Sequence, residues 1–592
     1  MKSVLRLYRE VVAVFPLGGR RFLNLYAALL ASLAIFDAAA LGLLALVIAP
    51  LAAGTPVALP LLGELEPIGV IWTILAICAL MVSKGVLALV VTWWATRRIP
   101  RFEVAIGDRL LRAFLSAPWR DRLRKNSNDI MRLSDSGVDI TVNSFVLPGA
   151  TLLGEVVSLV AVIATLAVVQ PVIAVTTLLY LLLLGAVLFF WIARHARIAG
   201  EVNIENSIRT SRLILEIVAA MKEVTLRNKE PEVADVVEAA RTRSARARAN
   251  IYFLGQVPRY ALEAGLVGGF VAIGGVGLLI GGIEQALAGV ALFALAGFRV
   301  APSVIRFQSV LSQMIAISEY PRLMLAELRD TERGKDEIAE RTVRSLPEAP
   351  KRIALERVSF QYAPDAIPAL DDVSLEIELG TTVAFVGASG SGKSTMVDLL
   401  LSLLEPTAGT ISVDGVPLTE LRTAWRARVG YVPQEVALFD ATIAQNVALT
   451  WGLDYDPERV RRALEQAQLW DLVAAREGGV DARVGERGLA LSGGQRQRLG
   501  IARALYSEPL VLVMDEATSA LDTHTESQVT GAIRELAGGI TKIVVAHRLA
   551  TIMDSDRIFF MRDGKLVGSG TFEDLVSRFP DFSRQAQLAG LV

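Results

Sequence analysis

The sequence predicts a membrane-embedded α-helical region followed by a soluble α/β domain. Hydrophobic types make up 53% of the 592 residues and charged types only 20%, against about 25% charged in an ordinary soluble domain. The mean hydropathy is +0.46. The composition changes near residue 330, where apolar runs of bilayer length give way to short strand-like runs alternating with helical stretches. A purely soluble enzyme is therefore not expected.

The first region contains six apolar runs, each long enough to cross a hydrocarbon layer, which takes about 20 residues. Six spans, an even number, return the chain to the side on which it started. The runs are Phe22–Pro50, Ile68–Thr96, Ser144–Val169, Val172–Ala193, Tyr252–Ile280 and Ala286–Phe307.

The loops between these runs predict the orientation. The long loops Arg97–Arg132 and Arg194–Arg248 are rich in basic residues, whereas Leu51–Pro67, Gln170–Pro171 and Gly281–Gln285 contain no Lys or Arg. The positive-inside rule then places both termini, the two long loops and the C-terminal domain in the cytoplasm. We expect a multi-pass protein of the inner (plasma) membrane, with spans that continue as long cytoplasmic helices.

Residues 1–20 are predicted to form an amphipathic elbow helix on the inner face of the membrane. Val4, Leu7, Tyr8, Val11 and Phe15 recur at helical spacing with basic residues between them. A frayed basic terminus is the alternative.

The remaining boundaries follow from composition. A transmembrane domain is predicted over 21–330, a charged linker containing proline over 331–350, and an α/β domain over 351–592. Strands of the α/β domain are predicted at Ile353–Phe360, Leu375–Leu379, Thr382–Val386, Thr410–Val413, Leu510–Met514 and Lys542–Ala546.

Charge and cysteine content exclude several function classes. A net charge of −1 gives no overall attraction to nucleic acid. One cysteine cannot form an internal disulfide, and three histidines with no Cys/His cluster effectively exclude a zinc site.

A phosphate-binding loop is the first motif that carries chemistry. Gly387–Ser394 fits G-x-x-x-x-G-K-[ST], follows the predicted strand Thr382–Val386 and precedes the helix-like run Thr395–Leu404. In such a loop, backbone N–H groups and a helix N-terminus surround the phosphates. Lys393 would reach the β and γ phosphates, and the Ser394 hydroxyl would bind Mg²⁺. The α/β domain is thus predicted to be a P-loop nucleotide-binding domain that uses ATP and Mg²⁺.

A second motif lies at the end of the apolar strand Leu510–Met514, where Asp515 and Glu516 follow directly. An aspartate at a strand tip suits a Mg²⁺ ligand. The adjacent glutamate is placed to orient and polarise an attacking water. The alternative, a solvated acidic turn, fits a buried strand less well.

The segment Leu491–Gln495, LSGGQ, lies between these motifs. Together with the phosphate loop and LVLVMDEATSALD it resembles the motif set of ATP-binding cassette (ABC) proteins, and the resemblance covers Lys351–Val592. It implies that LSGGQ of one copy closes on the phosphate loop of another, with two nucleotides sandwiched between. A Gly-Gly step at a helix start offers backbone donors to a γ-phosphate.

The resemblance also implies roles for individual residues. Tyr362 would stack on adenine, Gln434 would touch Mg²⁺ and contact the membrane domain, and Asp522 would lie in the inter-subunit loop. His547 would contact the γ-phosphate; a core histidine at a strand end is its alternative role. The predicted catalytic residues are Glu516 and His547; the predicted nucleotide-binding residues are Tyr362, Gly387, Ser389, Gly390, Ser391, Gly392, Lys393, Ser394, Thr395, Gln434, Ser492, Gly493, Gly494, Gln495, Asp515 and Asp522; and the predicted Mg²⁺ ligands are Ser394, Gln434 and Asp515.

One cassette after six spans resembles a half-transporter of the exporter class. Coupling helices that dock on the cassettes are expected near Pro118–Asn126 and Met221–Lys229. Because one chain carries both an intact phosphate loop and an intact LSGGQ, a homodimer would have two complete ATP sites. A heterodimer remains the alternative.

Ionisable residues inside spans are costly, which makes them candidates for substrate contacts. Lys84, Arg259 and Arg299 would present six cations in a dimer and suit an anionic, phosphate-bearing head group. They resemble, at a few positions, the pattern of lipid-linked oligosaccharide flippases. The alternative is that Arg259 snorkels to the interface while Lys84 pairs with Asp37.

The predicted function is an ATP-driven exporter or flippase of an amphipathic, lipid-linked substrate, working by alternating access. A multidrug, peptide or toxin exporter is the alternative in the same class. A soluble ATPase acting on DNA or ribosomes conflicts with the six apolar runs, and uptake systems of this family usually keep the two domains on separate chains.

Overall fold

The computed structural model of the protein describes residues 2–52, 58–59, 63–64, 67–124, 127–169, 171–339, 344–485, 488–515, 531, 539–546 and 549–591. The chain forms two compact units. The first contains residues 1–117 and 124–335, and the second contains residues 118–123 and 336–592.

The first unit consists almost entirely of helices. Long helices α2, α3, α6, α7 and α9 supply its bulk, and short helices connect them. In chain order the elements up to residue 339 are α1 (Lys2–Val14), α2 (Leu17–Ala52), β1 (Ala58–Leu59), β2 (Gly63–Glu64), α3 (Pro67–Ser116), α4 (Trp119–Arg124), α5 (Ser127–Arg132), π-helical turns at Leu133–Gly137 and Ile140–Val146, α6 (Leu147–Val169), α7 (Pro171–Ala219), α8 (Met221–Leu226), α9 (Glu230–Ala316) and α10 (Glu319–Ala339).

Four helical segments of the described chain are long and apolar enough to cross a membrane. They are Ile68–Ser116, Ile140–Ala161, Leu183–Ala219 and Glu230–Leu279, and they overlap the second to fifth predicted runs. Their apolar stretches expose most of their surface, with only 6–22% of residues buried. Such exposure is unfavourable in water and suits a hydrocarbon surround.

Helix α9 doubles back on itself near Gly282, whose φ is +75°. A Cβ at Gly297 would lie 2.7 Å from Leu266, and one at Gly269 would lie 2.3 Å from Phe293. The parts of α9 before and after Gly282 therefore pack against each other as an antiparallel hairpin. The predicted loop Gly281–Gln285 therefore coincides with the reversal.

Within the predicted N-terminal segment, the structure forms the helix α1 (Lys2–Val14), whose apolar face covers a different surface from the predicted one. Val4, Leu7, Val11 and Phe15 are at most 7% exposed and belong to the core of the first unit. The apolar face of α1 packs on protein instead of lying on lipid. Tyr8, also predicted on this face, contacts the Phe145 ring with a centroid separation of 6.2 Å. Burial raises its pKa to about 12.

The second unit contains two sheets. A four-stranded antiparallel sheet has the order β4-β3-β6-β7, and a six-stranded sheet has the order β12-β11-β5-β10-β9-β8 with every pair parallel except β11 and β12. The strands are β3 (Arg352–Phe360), β4 (Leu370–Glu378), β5 (Thr382–Val386), β6 (Ala408–Val413), β7 (Val416–Pro417), β8 (Val429–Val432), β9 (Val511–Asp515), β10 (Thr541–Val545), β11 (Arg557–Arg562) and β12 (Lys565–Gly570).

Helices cover these sheets, and apolar strand residues fill the cores between them. They are α11 (Lys393–Leu400), α12 (Leu418–Arg426), α13 (Ile443–Ala448), α14 (Pro457–Gln466), α15 (Trp470–Ala474), α16 (Gly493–Tyr506), α17 (Phe572–Arg578) and α18 (Pro580–Leu588), with 3₁₀ turns at Gly479–Asp481 and Leu549–Ile552. The six predicted strands are present, one with an earlier start at Leu370. Strands β7, β8, β11 and β12 were not predicted from the sequence. Helix α10 continues to Ala339, within the predicted linker.

Candidate nucleotide-binding site

The phosphate loop connects β5 to α11, as the motif predicts. Gly392 has φ +98°, and a Cβ at this position would lie 2.6 Å from the Ala369 carbonyl oxygen. A Cβ at Gly387 would lie 2.2 Å from the carbonyl oxygen of Met561. A side chain at either position would collide with the backbone, so the loop can take this path only with glycine.

Lys393 begins α11 and is only 5% exposed. Its Nζ donates to the carbonyl oxygens of Gly387 and Ala388 at 2.8 and 2.9 Å. The Ser391 hydroxyl is buried and forms no hydrogen bond within the described chain. An ammonium group and an unused hydroxyl thus lie in a loop at a helix N-terminus, an arrangement that suits the oxygen atoms of a polyphosphate.

Tyr362 lies beside this loop. Its hydroxyl is 3.1 Å from the Thr395 hydroxyl on α11, and its ring contacts that of Phe360 edge-on at 5.0 Å. The residue is 37% exposed, so part of it is accessible to a ligand. The structure therefore brings together two residues that lie 33 positions apart in the sequence.

Asp515 ends β9, two strands from β5 in the parallel sheet. Val545 of β10 pairs with both Asp515 and Phe385, so β5 and β9 reach the same level. Because carboxyl ends of parallel strands share one edge, Asp515 and the phosphate loop lie on the same edge.

Two further groups missed by the sequence analysis interact with Asp515. Burial, with a contribution from the Asp515 charge, raises the pKa of Asp398 on α11 to about 6. Burial, Asp515 and Asp398 raise the pKa of Tyr431 on β8 to about 12. No sequence pattern predicted this cluster. Asp398 lies in an otherwise apolar part of α11, and the strand β8 that carries Tyr431 was not predicted.

The LSGGQ segment forms a helix N-terminus. Ser492 caps α16 by accepting from the Gln495 backbone N–H at 3.3 Å, while its own N–H donates to Gln495 Oε1 at 3.0 Å. Ser492 and Gly493 are exposed. Within the described chain, no hydrogen bond joins this segment to the phosphate loop of the same copy. The outward-facing cap is thus available to an external group.

Gln434 is exposed after β8. The adjacent Pro433 carbonyl accepts from Gln497 Nε2 on α16 at 3.2 Å. This bond ties the segment that carries Gln434 to the helix that begins with LSGGQ.

Three predicted site residues lie outside the part of the chain that the structure describes. They are Glu516, Asp522 and His547, and their roles stay predictions. The side chains of Asp37 and Arg299 likewise lie outside the described set.

The helix α4 occurs within the predicted coupling segment Pro118–Asn126, and α8 within Met221–Lys229. Residues 118–123 cluster with the second unit although they interrupt the first in sequence. Trp119 packs against the core of that unit, and Arg122 lies over the Trp119 ring at 5.6 Å.

The membrane-type helices contain an ion pair that the sequence analysis did not single out. Arg306 donates to both carboxylate oxygens of Glu155, at 2.6 and 3.2 Å, and Lys84 interacts electrostatically with both residues. Arg259 pairs with Glu263 one turn away at 3.1 Å. Glu155 and Arg306 each lie in a predicted span. A charged residue inside a span is the sequence signal that could have pointed to this pair.

Comparisons with known proteins agree with this architecture. Residues 370–519 match the ABC transporter family. A solved structure of a bacterial Atm1-family ABC exporter with ATP bound superposes with a TM-score of 0.73 at 24% identity, covering 96% of this chain and 98% of that one. The chain therefore has the fold of that exporter: a helical membrane-type region followed by a domain in which residues 370–519 match the ABC transporter family.

Sequence relatives match over a shorter region. An ATP-dependent lipid A-core flippase of Ralstonia nicotianae is 47% identical over 231 residues, 38% of this chain and 39% of that protein. A sophorolipid transporter of Starmerella bombicola is 43% identical over 238 residues, 38% of this chain and 18% of that protein. The chain thus spans about two fifths of the length of the flippases that it resembles.

Proposed function

We propose that two copies of this chain form an ATP-driven exporter or flippase for an amphipathic, anionic, lipid-linked substrate. Each copy would cross the inner (plasma) membrane six times, with its termini and cassette in the cytoplasm. The observation that carries the proposal is the buried Lys393 in an intact phosphate loop, on the same chain as bilayer-length apolar helices.

At each ATP site, this chain's residues would bind and orient the nucleotide. Backbone donors of the loop and Lys393 would hold the phosphates, whose oxygens would replace the loop carbonyls that Lys393 now contacts. Tyr362 would stack on adenine. Ser394, Gln434 and Asp515 would hold Mg²⁺, which when bound neutralises charge on the phosphates. Glu516 would orient the attacking water, and His547 would contact the γ-phosphate.

The second copy would complete each site. The exposed cap formed by Ser492 and Gly493 offers backbone donors away from its own phosphate loop, and Asp522 would lie at the same seam. Closure of the two cassettes around ATP would turn the central cavity outward, and hydrolysis would reset it. The segment at residues 118–126 and the one at residues 221–229 would transmit this motion.

For the substrate, Lys84, Arg259 and Arg299 stay the candidate cations that face the anionic head group. The ion pair between Arg259 and Glu263 offsets one of these charges. Arg306, next to Lys84, adds a further cation whose partner Glu155 sits on another helix. The lipid-related names of the two relatives support a lipid-linked substrate.

A hydrolysis test addresses the chemistry. Purified Glu516→Gln protein in vesicles should bind ATP but lose both ATP turnover and transport. Glu477→Gln removes an exposed carboxylate elsewhere in the cassette and is the matched control. If turnover and transport both survive in the Glu516→Gln variant, the assigned chemistry is wrong.

A second test addresses the substrate. Replacing Lys84, Arg259 and Arg299 with glutamine should abolish flipping of a fluorescent anionic lipid while basal ATP turnover persists. Equal transport by the triple variant would contradict the flippase and favour a multidrug, peptide or toxin exporter.

A further inference from the structure

The first unit contains a partly open cavity of about 1050 Å³ that no predicted site residue lines. Its walls come from α5, the π-helical turns that follow it, α7, α9 and α10. Ligand cavities in proteins usually measure about 300–1,000 Å³. The space is therefore large enough for a small organic molecule or a substantial head group.

Charge in this lining is unbalanced. Three arginines, Arg132, Arg212 and Arg248, and one acid, Asp135, contribute to the walls. Neither Arg132 nor Arg248 forms an ion pair with any residue that the structure describes. Arg132 and Arg248 thus place positive charge in the cavity wall that no described residue neutralises through an ion pair.

Arg132 is held in place by neutral groups. Its Nη2 donates to the Ser207 hydroxyl at 2.8 Å and to the Tyr320 hydroxyl at 2.9 Å. Its Nη1 is buried and has no acceptor within the described residues. A buried guanidinium nitrogen without an acceptor is costly, and an anion would remove that cost.

Arg248 is fixed in the same way. Its Nη1 donates to the Ser244 hydroxyl at 2.8 Å and lies 3.4 Å from Asn203 Oδ1. Ser244 also donates to Asn203 at 2.9 Å. The two hydroxyl and amide partners orient the guanidinium without cancelling its charge, which leaves its other donors for a ligand.

The rest of the lining is apolar. Ile140, Ile208, Leu215, Ile251 and Ile317 line the same space. A cavity with fixed guanidinium groups on one part of its wall and aliphatic side chains on another is complementary to a molecule that has both an anionic group and an apolar part.

We propose that this cavity is a cytoplasmic docking site for an amphipathic anion bearing a phosphate or carboxylate, separate from the cations Lys84, Arg259 and Arg299. All three arginines of its lining belong to the long loops that the positive-inside rule assigns to the cytoplasm. The inference rests on the proposed transport of an anionic amphipath and names where that cargo's charged group binds before it enters the membrane.

The test is photo-crosslinking of the full chain in neutral-lipid nanodiscs without nucleotide. The probe is hexyl phosphate with a diazirine on its alkyl chain, and labelled peptides are identified by mass spectrometry. We expect labels within residues 251–256 and 309–320 that unlabelled hexyl phosphate displaces. Hexyl maltoside, which is neutral, and inorganic phosphate, which lacks an apolar part, should displace the probe at least tenfold less effectively.

Variants tie the label to the two guanidinium groups. Arg132→Gln and Arg248→Gln should each weaken probe binding by about tenfold to a hundredfold, the effect of one charge-assisted hydrogen bond. Arg209→Gln and Arg246→Gln remove exposed arginines of α7 and α9 that do not line the cavity, and should leave binding unchanged. Arg132→Lys, which keeps the charge, covers the case in which the glutamine variant does not fold.

Two results would overturn the proposal: labels that concentrate outside the cavity, or equal binding by the glutamine variants and the wild-type chain. Displacement by phosphatidic acid in the bilayer would support the site with a lipid head group as ligand, and displacement by hexyl phosphate alone would support it with a water-soluble amphipath. The crosslinking assay uses no ATP. A Glu516→Gln variant that keeps its turnover would therefore contradict the proposed hydrolysis without affecting the crosslinking result, and absence of crosslinking in the cavity would leave the proposed hydrolysis unaffected.

Discussion

Arg120 of α4 donates two hydrogen bonds, from Nε and Nη2, to the backbone carbonyl oxygen of Tyr362, at 3.2 and 3.1 Å. Arg120 lies in the segment that interrupts the membrane-type region, and Tyr362 is the residue proposed to stack on adenine. The bonds hold the loop at Tyr362 by its backbone, so movement of α4 would displace the aromatic ring.

Arg120→Ala should therefore weaken ATP binding. Loss of two charge-assisted bonds at a partly exposed site would cost about 1 kcal/mol, or about a fivefold rise in the Kd of a fluorescent ATP analogue. Arg120→Lys keeps the charge but cannot form the fork and should have an intermediate effect. An unchanged Kd in Arg120→Ala would show that the contact does not position Tyr362.

Two glycines with positive φ in the cassette offer a matched comparison. Gly392 has φ +98° and no room for a Cβ, whereas Gly380 has φ +88° and nothing within 4 Å of that position. Gly380→Ala should cost only the backbone strain, about 1–2 kcal/mol of unfolding free energy. Gly392→Ala should also distort the phosphate loop and abolish ATP binding. Thermal unfolding and nucleotide binding, measured on both variants, check this, and retained binding by Gly392→Ala would contradict the loop geometry.

The pKa of Asp398, about 6 in the folded protein and 3.8 for the free side chain, predicts a pH dependence. Because folding disfavours the charged form, the free energy of unfolding should fall as pH rises from about 4 to about 6, then level off. Asp398→Asn should remove that fall and stabilise the cassette at pH 7 by about 1–2 kcal/mol after allowance for solvent screening. Thermal unfolding of nucleotide-free protein in EDTA, from pH 4 to pH 7, measures it. Identical pH profiles for variant and wild type would show that Asp398 titrates normally.

The pair between Glu155 and Arg306 should contribute to the packing of α6 on α9. Glu155 is only 16% exposed, so its charge is costly when Arg306 is removed. Arg306→Gln and Glu155→Gln should each lower the melting temperature. The double variant should lose less unfolding free energy than the two single variants lose together. We expect a coupling of about 0.5–3 kcal/mol.

The exposed i,i+4 pair between Asp108 and Arg112, at 2.7 Å, is the control for that cycle. The losses of unfolding free energy in its two single variants should add up to the loss in the double variant, because solvent screens the pair. Additivity at Glu155 and Arg306 as well would mean that the two charges are individually solvated.

The sequence alone determined the two-part architecture, the phosphate loop and the carboxylate at the end of β9. These features are local: apolar runs of fixed length, a glycine pattern between a strand and a helix, and an acid after a buried strand. The same local logic predicted α1, α4 and α8, because helical spacing and loop length are visible in a single chain segment.

Only the tertiary structure decided which distant residues meet. Each of these relationships joins residues from different elements. They are the covering of α1 by protein, the contact of Arg120 with Tyr362, the pairing of Glu155 with Arg306, the raised pKa of Asp398 and the cavity at Arg132 and Arg248. Hydrophobic periodicity says that a face is buried but not against what, and the pKa of a carboxyl depends on neighbours that the chain brings together only on folding.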